Sequence, residues 1–284
     1  MKGRQIVART LSVPRPMGAE GVPWQYHSRS DVHSKVACWA IMFDLLATSS
    51  LLQQHVAQGK VSFAINRKMN NFQTGRSKNL DLVVARASNG DGSATVSLAE
   101  LAGRYDILLD ADDRAALDLL PASPAGAAGA TVLVALEAKA CMTAHIKARP
   151  RLFDELDSSH STVHGDNNNA LAVGFAMVNF AEIFASPINP ANRSGPVDYT
   201  LHRQPTDTIK VIEKLREINR RSSPHSGQPG FDAFGIMVVD LENDGVTPMR
   251  VITGPPAPQP DNDFHYDRMI TRIGHLYDSS FAHI

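Results

Sequence analysis

Six consecutive residues, Thr131-Val132-Leu133-Val134-Ala135-Leu136, are apolar apart from the first threonine, and they follow a stretch rich in Ala, Gly and Pro at 121–129. A short apolar run bounded by a surface connection predicts a β-strand over 131–138 that is covered on both faces. Such a strand needs a layer of helices on each side of its sheet, which restricts the chain to a layered α/β architecture. With 284 residues, 43% of them hydrophobic, the chain is long enough to bury that core.

The remaining periodicities fit this plan. Val36, Trp39, Ala40, Phe43, Leu46 and Ala47 give helical spacing over 32–55, with Asp31 or Ser34 as cap. Strands are predicted at 60–66, 80–87, 171–180 and 233–241, and helices at 98–120, 142–160 and 264–277, with Pro150 as a kink. Ile209, Ile212, Leu215 and Ile218 form one stripe of an amphipathic helix over 205–221, capped by Thr206 or Asp207. Residues 1–30, with Pro14, Pro16, Gly18, Gly21 and Pro23, read as an irregular arm. No repeat and no domain linker is evident. The expectation is a single domain over 1–284: a central mixed sheet flanked by helices, with 88–130 as an insertion and about 190–284 as an α/β extension of the same sheet.

The apolar run ends in Glu137-Ala138-Lys139, and Asp81 lies in the strand Asn79-Leu80-Asp81-Leu82-Val83-Val84. A bare charge in an apolar strand is costly unless something compensates it. Strand side chains repeat every second residue, so Glu137 and Lys139 share one face. If Asp81 converges on them, two carboxylates and an ammonium group meet, which suits a hard divalent cation and cleavage of a phosphodiester. Each feature has a plainer reading alone, Asp81 as a turn cap and Glu137–Lys139 as a surface ion pair worth little.

The net charge of −1 argues against a general polyanion binder, but the distribution is uneven. Between Asp44 and Asp81 there is no acid, while Lys60, Arg67, Lys68, Arg76 and Lys78 are basic; from Lys139 to Phe153 there is again none, while Lys147, Arg149 and Arg151 follow. Basic segments flanking an acidic cluster suit a metal site that faces a phosphate backbone. Cys38 and Cys141 suggest no disulfide framework, and neither a signal peptide nor a membrane span is read, so a cytoplasmic protein is expected. Cys141/His145 and His160/His164 are spaced for a zinc site, provided the chain folds back near Pro150 or Ser158. Gly59-Lys60 is followed by Val61, which excludes a phosphate-binding loop, and no Gly-x-Ser-x-Gly is present. Asp166-Asn167-Asn168-Asn169 reads as a turn.

The order helix, three strands, helix, strand, with Asp81 on the second strand and Glu137-x-Lys139 ending the third, resembles the PD-(D/E)xK nuclease superfamily over about residues 32–184. Leu80 stands where many members have proline, and the gap to Glu137 is long. The resemblance implies a restriction-endonuclease-like core and a Mg2+- (or Mn2+-) dependent DNA endonuclease of restriction or phage-defence type. In that reading Asp81 and Glu137 hold the metal with the carbonyl of Ala138, and Lys139 positions or activates the nucleophile. Asp44 is the candidate extra acid on the first helix. Arg67, Lys68, Lys78, His145, Lys147 and Arg149 would contact DNA. Double-strand cleavage implies a homodimer. The alternatives are a non-catalytic nucleic-acid-binding module on the same fold and a zinc-ordered binding protein.

Overall fold

Six strands build the central sheet of the computed structural model, which describes residues 1–71, 76–87, 95–125 and 130–284. They are β1 (Val61–Asn71), β2 (Arg76–Arg86), β3 (Val132–Cys141), β4 (Leu171–Asn179), β5 (Ala233–Asp240) and β6 (Arg250–Ile252). Their spatial order follows the chain, with β1 and β6 at the edges. The pairs β1/β2, β2/β3 and β5/β6 are antiparallel, and β3/β4 and β4/β5 are parallel. Parallel neighbours require crossover connections. Helix α6 (His145–Asp166) and helix α7 (Thr206–Arg216) supply them; the others are α1 (Gly3–Leu11), α2 (Val32–Thr48), α3 (Ser50–Ala57), α4 (Leu98–Arg104), α5 (Ala111–Leu117) and α8 (Tyr266–Phe281).

As the apolar run requires, β3 is covered on both faces. On one side Leu82, Leu136, Val173 and Phe175 pack with Trp39 and Phe43 of α2 and Ile270 of α8. On the other, Val83, Ala135, Ala172 and Ile236 pack with Leu152 and Leu156 of α6 and Val211 and Leu215 of α7. Helix α2 is buried on nearly every side, which explains why its apolar residues are not confined to one stripe. Among the described residues no single helix is long and apolar enough to cross a membrane.

Several expectations are corrected. Residues 1–30 are not an irregular arm: α1 buries Ile6, Val7 and Leu11, and Arg15–Met17 pairs antiparallel with Val22–Trp24. Of the prolines that suggested an irregular arm, Pro16 and Pro23 stand opposite each other in that two-stranded ribbon, where few ladder bonds are demanded of them. The helical stretch 32–55 is two helices that meet at 101°. The hydroxyl of Ser49 makes the break, accepting from the Leu52 N–H while donating to Asp278. The stretch 98–120 is also two helices, each opened by a capping box, Ser97/Glu100 and Asp110/Asp113. Pro150 does not interrupt α6. The C-terminal region does extend the sheet, through β5 and β6.

Candidate active site

The site begins with a local fault in β2. The β2/β3 ladder shifts register at a bulge between Val84 and Ala85, continues to Leu82 opposite Leu136 and stops there. On the other edge of β2, β1 pairs Ile65 with Leu82 and Arg67 with Leu80, leaving Asn66 opposite Asp81 with φ of 58°. Asn is among the few residues that tolerate this region. Leu80 packs in the core under α6 and Leu82 in the core under α2, so the strand's alternation breaks at the residue between them. The side chain of Asp81 takes over from the missing ladder, with Oδ2 accepting the Ala138 N–H at 2.8 Å. A strand residue directs its N–H and C=O to the same neighbour, so the Ala138 carbonyl also faces β2.

From Val134 onward strand β3 keeps its regular pleat. Leu136 and Ala138 point into the α2-side core, and Glu137 and Lys139 project toward α6. Glu137 is 3% exposed. Lys139 Nζ lies 2.7 Å from Glu137 Oε1 and 3.5 Å from Oε2 of Glu155 on α6. The other Glu155 oxygen accepts from Arg151 Nε at 2.6 Å. Asp81, Lys139, Glu155, Ser34, Lys147 and Arg151 line a cleft of about 590 Å³ between the sheet end, the start of α6 and the segments around residues 28–34 and 184–188. Glu137 is not among the residues that line it.

The electrostatics bind the two acids into one system. Burial pushes the Asp81 carboxyl up to about 6, the Glu137 charge adds to this, and the Ala138 N–H, the Lys139 charge and Ser34 draw it partly back. Burial raises the pKa of the Cys38 thiol on α2, and the charges of Asp81 and Glu137 raise it further. For Lys139, burial favours the neutral amine, but Glu137 and the other carboxylates outweigh it and hold the ammonium above its ordinary range. The site thus has a surplus of negative charge, relieved by a single ammonium, facing a cleft with Lys147, Arg151 and Arg29 on its wall.

The other candidates are placed as follows. Lys147 is exposed on the cleft wall. Arg149, half-buried on α6, and Arg67, half-buried on β1, are not among the cleft's lining residues, and burial lowers the pKa of Arg67. The side chains of Lys68 and Lys78 lie outside the described residues. Two assignments are corrected. Asp44 is no part of the site: its oxygens accept from the N–H groups of Lys2 and Gly3 and from the Tyr266 hydroxyl, so it anchors the start of α1. His145 is 2% exposed, pairs with the Asn179 carbonyl at 2.8 Å and packs edge-on against His202, so it presents nothing to a phosphate.

The zinc arrangement fails as well. Helix α6 is continuous, so His145 and His160 stand roughly 22 Å apart along its axis. His160 contacts Asp157, and His164 lies against Asp232. No cluster of three or more His, Cys, Asp or Glu suited to a metal occurs among the described residues. Asn167 does form a turn, accepting the Asn169 N–H.

Sequence reasoning did not place Glu155 or Arg29 in the site, and it read Arg151 only as part of a basic segment and Ser34 only as a helix cap. One signal was available: Lys147, Arg151 and Glu155 are spaced by four on a predicted helix and therefore share a face. The chain matches no known protein-family model, no curated protein and no solved structure.

Proposed function

We propose that the chain is a metal-dependent DNA endonuclease of restriction or phage-defence type, with Mg2+ or Mn2+ as cofactor and a homodimer as its working form. The observation that carries this reading is the convergence of Asp81 with the Glu137–Lys139 pair at one end of the sheet, beside a cationic cleft wall. The order α2, α3, β1, β2, α4, α5, β3, α6, β4, with the acids on the second and third strands of the sheet, resembles the PD-(D/E)xK core with α4 and α5 as an insertion, and this supports the same reading.

The donor set fits a divalent cation. Two carboxylates close enough for one to raise the other's pKa repel each other, and a cation between them removes that penalty. Oxygen donors and few protein ligands suit Mg2+, which keeps several waters. Asp81, Glu137 and the Ala138 carbonyl would hold it, and such an ion supplies charge neutralisation at the phosphoryl group and an acidified water.

The protein groups have separable tasks. Lys139 pairs with Glu137 at 2.7 Å, and its ammonium would stabilise the charge that grows on the phosphoryl oxygens. Lys147 and Arg151 grip the backbone without reading sequence. The Ala138 N–H keeps Asp81 in place. The test is incubation of the purified chain with mixed single- and double-stranded DNA and Mg2+ or Mn2+, followed by mapping of the ends. Defined ends that disappear with a chelator are expected. DNA binding that ignores the metal, without nicking under any condition, points instead to a non-catalytic binding module.

A further inference from the structure

Glu155 lies sixteen residues beyond Lys139, on a different element, yet it touches two groups that the proposed reaction needs. Oε2 is 3.5 Å from Lys139 Nζ, and Oε1 accepts from Arg151 Nε at 2.6 Å. The Arg151 side chain is 82% exposed, and that of Glu155 36%. Glu155 takes only the Nε edge of the guanidinium, the terminal nitrogens have no hydrogen-bond partner among the described residues, and Arg151 lines the cleft. Guanidinium groups bind phosphate through a rigid planar fork, so a carboxylate on one edge fixes the direction in which the rest of the fork points. As a helix-surface ion pair the contact contributes little to stability. Stability therefore does not explain why this carboxylate is also shared with the buried end of β3.

We propose that Glu155 is a positioning residue that aligns Lys139 with one oxygen and the Arg151 fork with the other, so that the carboxylate that places the lysine also orients the guanidinium that recognises a phosphate next to the scissile one. This rests on the nuclease reading. It defines the substrate as a strand with at least one phosphate beyond the cleaved bond, held along the first turns of α6, where Lys147 lies one turn before Arg151.

The experiment measures kcat and KM for Mg2+-dependent cleavage of a mapped oligonucleotide by the wild type, Glu155→Gln, Glu155→Asp, Arg151→Ala and the Glu155→Gln/Arg151→Ala double variant. A second substrate carries a neutral methylphosphonate at the adjacent position. Glu155→Gln is expected to lower kcat at least tenfold and to raise KM, with partial rescue by Glu155→Asp. Arg151→Ala should raise KM severalfold, the double variant should raise it no further than Arg151→Ala alone, and the methylphosphonate should raise it for the wild type but not for Arg151→Ala. A wild type that cleaves, with kcat and KM unchanged in Glu155→Gln, overturns this inference and leaves the nuclease reading standing. Independent, multiplying effects of Glu155→Gln and Arg151→Ala on KM also overturn it. A wild type that never cleaves overturns both.

Discussion

The backbone N–H of Ala138 donates to the Asp81 carboxylate at 2.8 Å, at the point where the regular pairing of β2 with β3 has just ended. A side chain has replaced a strand as hydrogen-bond partner, and this brings an acid from one strand to the residue between Glu137 and Lys139 of the next. The cost is an ionisable group pressed into a half-buried, negatively charged position, and its raised pKa records that cost.

Asp81 should therefore make stability depend on pH and on metal. Its folded-state pKa of about 6 exceeds its ordinary value of 3.8, so the folded chain holds the proton more tightly than the unfolded chain. The stabilisation from protonation is full below about pH 4 and lost as pH rises through about 6. The shift corresponds to roughly 1–3 kcal/mol at neutral pH. Thermal unfolding should show Asp81→Asn to be more stable than the wild type at about pH 7.5 and no different at about pH 4. Added Mg2+ or Mn2+ should raise the wild-type Tm at the higher pH and leave that of Asp81→Asn nearly unmoved. Equal Tm values for the two proteins at about pH 7.5 would contradict this.

Lys139→Ala removes the ammonium from a buried glutamate and from the proposed transition state. Cleavage should fall by ~10²–10³-fold, the range for losing one preorganised charge-stabilising donor. Steady-state cleavage with circular dichroism as a check on folding measures this, and undiminished cleavage would move the chemistry elsewhere in the molecule.

Asp44 should matter to stability alone. It satisfies the N–H groups that open α1 and the hydroxyl of buried Tyr266. Asp44→Ala leaves those donors without their acceptor and should cost ~2–4 kcal/mol in urea unfolding. Its kcat, measured where the variant is folded, should match the wild type.

Asp232 and Arg221 form a bidentate pair, each 2% exposed, and Asp232 also accepts from the Ala172 N–H at the start of β4. Burial works against ionisation of Asp232, but the bonds from His164, Arg221 and Ala172 outweigh it and lower its pKa. Its contribution is thus present above about pH 4 and is lost as pH falls through the folded-state value. Asp232→Ala strands a buried guanidinium and should cost ~3–5 kcal/mol in denaturant unfolding at neutral pH. A loss below about 1 kcal/mol would contradict this.

The sheet was legible where one physical signal dominated. The apolar run before Glu137 predicts a strand covered on both faces, and β3 is one; the stripe from Ile209 to Ile218 predicts the amphipathic α7, which ends at Arg216 and buries Val211, Ile212 and Leu215 while leaving Ile209 exposed. The period-two rule places Glu137 and Lys139 together, and they form an ion pair. It does not foresee the fault at Asp81, which depends on where β3 stops offering partners to β2. Asp44 misled because an acid inside an apolar helix looks functional, whereas its partners come from α1 and α8, far away in sequence. His145 misled because a histidine among basic residues suggests phosphate, whereas the turn before α6 buries it against Asn179. Glu155 was missed because nothing local links it to Lys139.

The most direct test compares wild type and Glu137→Gln on the same mixed DNA with Mg2+, with and without chelator, after circular dichroism has shown both to be folded. The account predicts metal-dependent cleavage by the wild type and none by Glu137→Gln. A wild type that leaves DNA intact with either Mg2+ or Mn2+, or a Glu137→Gln protein that cuts as well as the wild type, would contradict it.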